Sequence, residues 1–254
     1  MKNKTIQQFT LSTAQGVKPH AFTLVEVLIT IAILGVIAVL TLPTLEFSAG
    51  GKEKVTRVKK TYASLVDALD RAEIVYGDFD GWFNDLSTDD ARNERFAKRI
   101  TEFMKVSKDC GFSASECFSS EPMLNVFDES EILANLSESL VEVKAYTVQL
   151  PDGTSLAFYN DLENNGLYRI RIDIENMGKK ENKEGSDVFN FTIYVNKSMA
   201  REVGAQINQL LPDAKPSNWK EGAMYTTAWI IEKDNVDYLK CPSELNWETN
   251  TSCN

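Results

Sequence analysis

Glu26 is the only charged residue in an otherwise apolar run over residues 22–45, FTLVEVLITIAILGVIAVLTLPTL. The run exceeds the ~20 helical residues that cross a hydrocarbon core. A carboxylate near one end of such a helix costs roughly 1–3 kcal/mol to insert. Read blandly, Glu26 lies among the headgroups and snorkels. The residues that precede it argue instead for a role.

Residues 1–21 are polar, carry Lys2, Lys4 and Lys18, contain no Asp or Glu, and end Lys18-Pro19-His20-Ala21. A secretory signal is cut after its apolar core, following small residues. Ser48 and Gly50 offer such a site, so the residues also admit a signal peptide. Against it, the apolar run is longer than a signal core of 7–15 residues.

Ala21-Phe22-Thr23-Leu24-Val25-Glu26 resembles the processing site of type IV pilins and of the pseudopilins of type II secretion. The resemblance implies a prepilin peptidase that cuts between Ala21 and Phe22 on the cytoplasmic side and N-methylates Phe22. Glu26 then takes the position of the family's glutamate, while Gly35 and Pro43 fall where pilin helices commonly carry a glycine and a kinking proline. The family usually has Gly where this chain has Ala21. Implied partners are copies of the chain, related pilin-like subunits, the peptidase, an inner-membrane assembly platform and membrane lipid. The implied location is the bacterial inner membrane for the precursor, with the head extracytoplasmic and the fibre in the periplasm or at the cell surface.

The chemistry follows from the charges alone. Cleavage before Phe22 leaves an ammonium one helical turn from Glu26. Between two helices packed with an axial offset, the carboxylate of one meets the ammonium of the other. In a low dielectric that pairing is favoured over two bare charges and sets register.

The formal net charge is −10, and it becomes more negative without the leader's three lysines. That acidity argues against nucleic-acid binding by the head. The single histidine, His20, lies in the leader. A mature chain without it lacks His-based acid–base catalysis, Ser-His or Cys-His nucleophiles and His zinc sites. No pair of carboxylates is singled out by spacing, so an enzyme is not expected.

Cys110, Cys117, Cys241 and Cys253 all follow the apolar run. An even number in an exported domain reads as two disulfides. Three pairings are open, and free buried thiols are the alternative. The expected pairing is local, Cys110 with Cys117 and Cys241 with Cys253, because each bracket is short. The second pair resembles the disulfide-closed loop of many type IV pilins.

Gly50-Gly51 is expected to interrupt helix. Over residues 52–76 the positions Val55, Val58, Tyr62, Leu65, Leu69 and Ala72 form one apolar stripe, an amphipathic continuation of the first helix. Lys52, Lys54, Arg57, Lys59 and Lys60 cluster there, either held by anionic lipid or simply solvated. Residues 77–140 read as a helical insertion lobe: Thr88 and its neighbours offer a cap, Phe96, Ile100, Phe103 and Met104 a stripe, and 128–140 a short helix. Residues 141–254 read as a β-sheet head, with strands over 143–150, 155–159, 167–174 and 188–195, the first two joined by Pro151-Asp152-Gly153-Thr154. The expected fold is α+β: a long N-terminal spine helix, membrane-spanning over 22–48, packed on a small antiparallel sheet of about four strands, as in pilins.

Two oxygen-rich loops, one from Asp161 to Gly166 and one from Asp173, suggest calcium. From Asp173 the chain places Glu175 and Glu184 at positions three and twelve of an EF-hand-like loop, with Gly178 at six and Asp187 close behind. Met177 spoils position five, and ordinary polar turns are the alternative reading. No other cofactor is indicated. The expected function is a structural subunit of a type IV pilus or type II secretion pseudopilus. The alternatives are a minor or adhesive tip subunit and a membrane-anchored extracytoplasmic binding protein.

Overall fold

The computed structural model describes residues 24–161, 166–175, 181–196, 208–212 and 226–253, without the side chains of 38–49. The chain divides into two compact units, Met1–Phe47 and Ser48–Asn254. The division falls inside helix α1 (Leu24–Tyr76).

Within the second unit, α1 presents the predicted stripe. Val55, Val58, Leu65, Leu69 and Ala72 are buried, and Tyr62 stacks on Phe191 with ring centroids 5.3 Å apart. Helix continues through Gly50 and Gly51 rather than breaking there. Tertiary packing outweighs the ~1 kcal/mol propensity cost of a helical glycine. A Cβ on Gly51 would lie 2.9 Å from Val236 Cγ2, so glycine there admits a close approach of the C-terminal region.

Residues 77–140 are mixed rather than helical. They hold α2 (Asp89–Thr101) and α3 (Leu136–Glu142), but also β1 (Lys108–Gly111), β2 (Met123–Asn125) and β3 (Glu131–Leu133). Thr88 caps α2 by accepting from the Ala91 N–H, and Asn135 caps α3 by accepting from the Glu138 N–H. The strands that follow are β4 (Tyr146–Gln149), β5 (Ser155–Asn160), β6 (Leu167–Asp173), β7 (Asn182–Glu184), β8 (Val188–Tyr194) and β9 (Leu210–Pro212). Gly153 has φ 88° in the β4–β5 turn, a conformation that favours glycine.

The sheet runs β1-β4-β5-β6-β8-β7-β2-β3, with β9 also on β8. The four predicted strands form its antiparallel centre, from β4 through β5 and β6 to β8. The whole is mixed, not antiparallel, because β7 pairs in parallel with both β8 and β2. Leu156, Ile172 and Phe189 lie side by side across three strands, as do Phe158, Ile170 and Phe191. These rows pack with the α1 stripe in the main core, where Phe79, Trp82, Phe83, Phe96 and Tyr168 add an aromatic cluster. A second, smaller core under the opposite face gathers Ala157, Tyr159, Val188, α3 and the loop from Cys110 to Phe118.

Residues 226–233, which the sequence reading placed in the β-sheet head, form helix α4 (Thr226–Lys233). A short apolar run such as Trp229-Ile230-Ile231 suits a buried strand or a buried helix equally. Both disulfides take the local pairing, Cys110 with Cys117 and Cys241 with Cys253. The first secures the small core, the second the C-terminal tail.

Asn93 is fully buried in α2 and joins three elements. Its Nδ2 donates to the carbonyls of Val143 and Lys144, and its Oδ1 accepts from the Asn160 N–H at 2.8 Å. Asn93→Ala strands three backbone groups, the two part-buried carbonyls and the buried Asn160 N–H. It is expected to lower unfolding stability by about 3 kcal/mol, read as a lower urea midpoint with unchanged slope.

Candidate functional site

Every described side chain from Leu24 to Ile37 is exposed. Leu24 is 77% exposed, Leu34 63% and Val36 62%, and the apolar residues lie on all sides of the helix. A helix apolar all round belongs in a core, in lipid or against other helices. Glu26 sits in the first turn of α1, where a carboxylate favours the positive end of the helix dipole. Thr30 turns its hydroxyl back to the Val27 carbonyl at 2.8 Å, hiding the polarity of the stretch. Around Gly35 an added Cβ meets nothing within 4 Å, so no contact among the described residues requires glycine there. Ala21 and Phe22 lie outside the described residues, and so does the side chain of Pro43.

Among the described residues no helix is long and apolar enough to cross a membrane. The spanning helix read over 22–48 is therefore not supported by the structure. The described apolar side chains stop at Ile37, short of a span, although the apolar sequence continues to Leu45.

A second polar centre lies in the other unit, where α1 meets the sheet. Lys54 Nζ is 2.9 Å from Glu175 Oε1 and donates to the carbonyl and hydroxyl oxygens of Ser186 at 2.9 and 2.7 Å. Burial lowers its pKa, and the charges of Asp187 and Asp173 pull the other way. Arg57 adds a hydrogen bond to the Ile174 carbonyl. Asp173 Oδ1 accepts from the Glu175 N–H, and Asp187 Oδ1 from the Lys183 N–H. An ammonium thus sits beside three of the four carboxylates that suggested calcium. The fourth, Glu184, accepts from Asn190 Nδ2 at 2.9 Å in a separate network. Among the described residues no group of three or more His, Cys, Asp or Glu is placed to hold a metal ion. Residues 176–180 and 162–165 of the two oxygen-rich loops lie outside the described residues.

The basic cluster is largely committed to the head rather than offered to lipid. Lys59 pairs with Asp234 at 2.8 Å, Lys60 with Asp152 at 2.9 Å and Arg57 with Glu53 at 3.1 Å. Of the five cations only Lys52 makes no ion pair among the described residues.

Residues 18–42 match the family described as the prokaryotic N-terminal methylation motif. This segment is of the prepilin type. The methylation motif contains Ala21, Phe22, Glu26 and Gly35, and it ends inside α1, one residue before Pro43. It is the segment of a type IV pilin-like or pseudopilin-like substrate of prepilin peptidase. The match does not reach the head. No curated protein and no solved structure is significantly similar to the chain.

The sequence reading missed one constellation. Arg171 on β6, Asn190 on β8 and Glu184 on β7 form a polar chain on the sheet face opposite α1. Alternation along the strands puts Arg169 and Arg171 on one face, but sequence alone does not reveal which strand brings Asn190 beside them.

Proposed function

We propose that this chain is a structural subunit of a type IV pilus or a type II secretion pseudopilus. It is cut between Ala21 and Phe22, methylated on Phe22 and polymerised through the N-terminal part of α1, with no catalytic role. The methylation motif over residues 18–42 carries this reading. The exposed apolar surface from Leu24 to Ile37 supports it, since such a surface needs lipid before assembly and neighbouring helices after it. Glu26 pairs with the Phe22 ammonium of an adjacent copy and fixes the axial offset. Gly35, with open space around it, gives a neighbouring helix room for close approach. The apolar run over residues 22–45 holds the precursor in the inner membrane, and the head is extracytoplasmic, in keeping with its two disulfides.

Expression in paired hosts with and without prepilin peptidase tests this. The chain is expected to shorten by its leader only where the peptidase is present, and to stay full-length and unassembled where it is absent. Equal lengths in the two hosts contradict the proposal.

A further inference from the structure

On the sheet face away from α1, a groove of about 490 Å³ opens between α3 and strands β5 and β6. Leu133, Leu140 and Val143 give it an apolar wall, and Tyr159 and Arg171 contribute to its polar floor. Arg171 is held in place from several sides. Its Nε donates to Asn190 Oδ1 at 2.9 Å, and its guanidinium lies 6.0 Å from the centre of the Tyr159 ring. Asn190 sits directly across the strand pair and is itself buried. Its Nδ2 donates to Glu184, and its backbone N–H to Thr227 Oγ1 at 3.2 Å.

The two terminal nitrogens of Arg171 make no hydrogen bond or ion pair among the described residues. The neighbouring cation, Arg169, already faces Asp161 at 3.4 Å. Of the acids lining the groove, Glu184 is engaged by Asn190 and Glu142 is exposed to water. The result is a pre-oriented guanidinium fork, free on its outer edge, beside an apolar wall. Such a fork matches the planar geometry of a carboxylate. The volume suits a small molecule.

We infer that this groove binds a small organic monocarboxylate with an apolar body, its carboxylate on the outer edge of Arg171 and its body against Leu133, Leu140 and Val143. The inference is independent of assembly through α1.

Equilibrium dialysis of the full chain in lipid nanodiscs tests it, with phenylacetate as probe, phenylacetamide as its neutral counterpart and empty nanodiscs subtracted. Phenylacetate is expected to bind saturably at one per chain and phenylacetamide not to. Arg171→Gln is expected to weaken binding by roughly tenfold or more. Ser139→Trp, which fills the groove from α3 without touching the arginine, is expected to abolish it and carries the test if Arg171→Gln unfolds the head. The inference is overturned if phenylacetate shows no saturable binding at millimolar concentration, if acid and amide bind alike, or if either folded variant binds as the parent does. Tighter binding of N-acetyl-Phe-Leu than of phenylacetate overturns it too, in favour of a peptide terminus.

Discussion

Glu26→Ala is expected to leave the chain folded and abundant, processed and membrane-held, yet absent from fibres. The substitution lies in the Met1–Phe47 unit and removes nothing from the core of the Ser48–Asn254 unit, so the thermal midpoint of the head stays where it is. On the proposed assembly, what is lost is the partner of the Phe22 ammonium on an adjacent copy. Removing one member of a low-dielectric ion pair costs about 3–5 kcal/mol, because the other charge is left bare. That penalty recurs at every subunit contact along a fibre, so assembly fails as a whole rather than weakening in proportion. Glu26→Gln keeps the shape and removes the charge, and it is expected to fail likewise. Electron microscopy of sheared surface material, together with a membrane-fraction immunoblot, reads the outcome. Normal fibres from either variant would remove Glu26 from assembly.

Lys54→Met is expected to destabilise the head by about 3 kcal/mol, near the low end for breaking a buried pair since the ammonium keeps some solvent contact. For a domain of this size that lowers the melting temperature by about 6–12 °C. The cause is specific: methionine fills the same space but leaves Glu175, Asp173 and Asp187 gathered without the ammonium that balances them. Lys54→Arg, which keeps a cation, is expected to lose less than half as much. The same ammonium predicts that millimolar calcium leaves the parent's melting temperature unchanged. A Lys54→Met variant as stable as the parent, or a calcium-dependent rise in the parent, would contradict this account of the cluster.

Long periodic signals were legible in the sequence, and short pairings were not. The stripe from Val55 to Ala72 specified which face of α1 enters the core. The alternation from Val188 to Tyr194 specified a strand buried along nearly its whole length, because each rests on a repeat long enough to exclude the other period. β2, β3, β7 and β9 have three residues each, too few to show alternation, and they exist because a neighbouring strand offers hydrogen bonds. The parallel pairing of β7 with β2 and β8 turned an expected four-stranded antiparallel sheet into a mixed one. The helix through Gly50 and Gly51 went against local propensity for a tertiary reason, the closeness of Val236. The acidic loop at Asp173 invites a positive charge, and an ammonium sits beside it. Lys54 supplies it from a helix more than a hundred residues earlier, a distance no local pattern spans. The N-terminal methylation motif was legible because its residues are contiguous, within 18–42.

The mass of the N-terminal peptide of the mature protein bears most directly on the central claim. The account predicts a chain that begins at N-methylated Phe22. An intact Met1, or a start near Gly50, would contradict it.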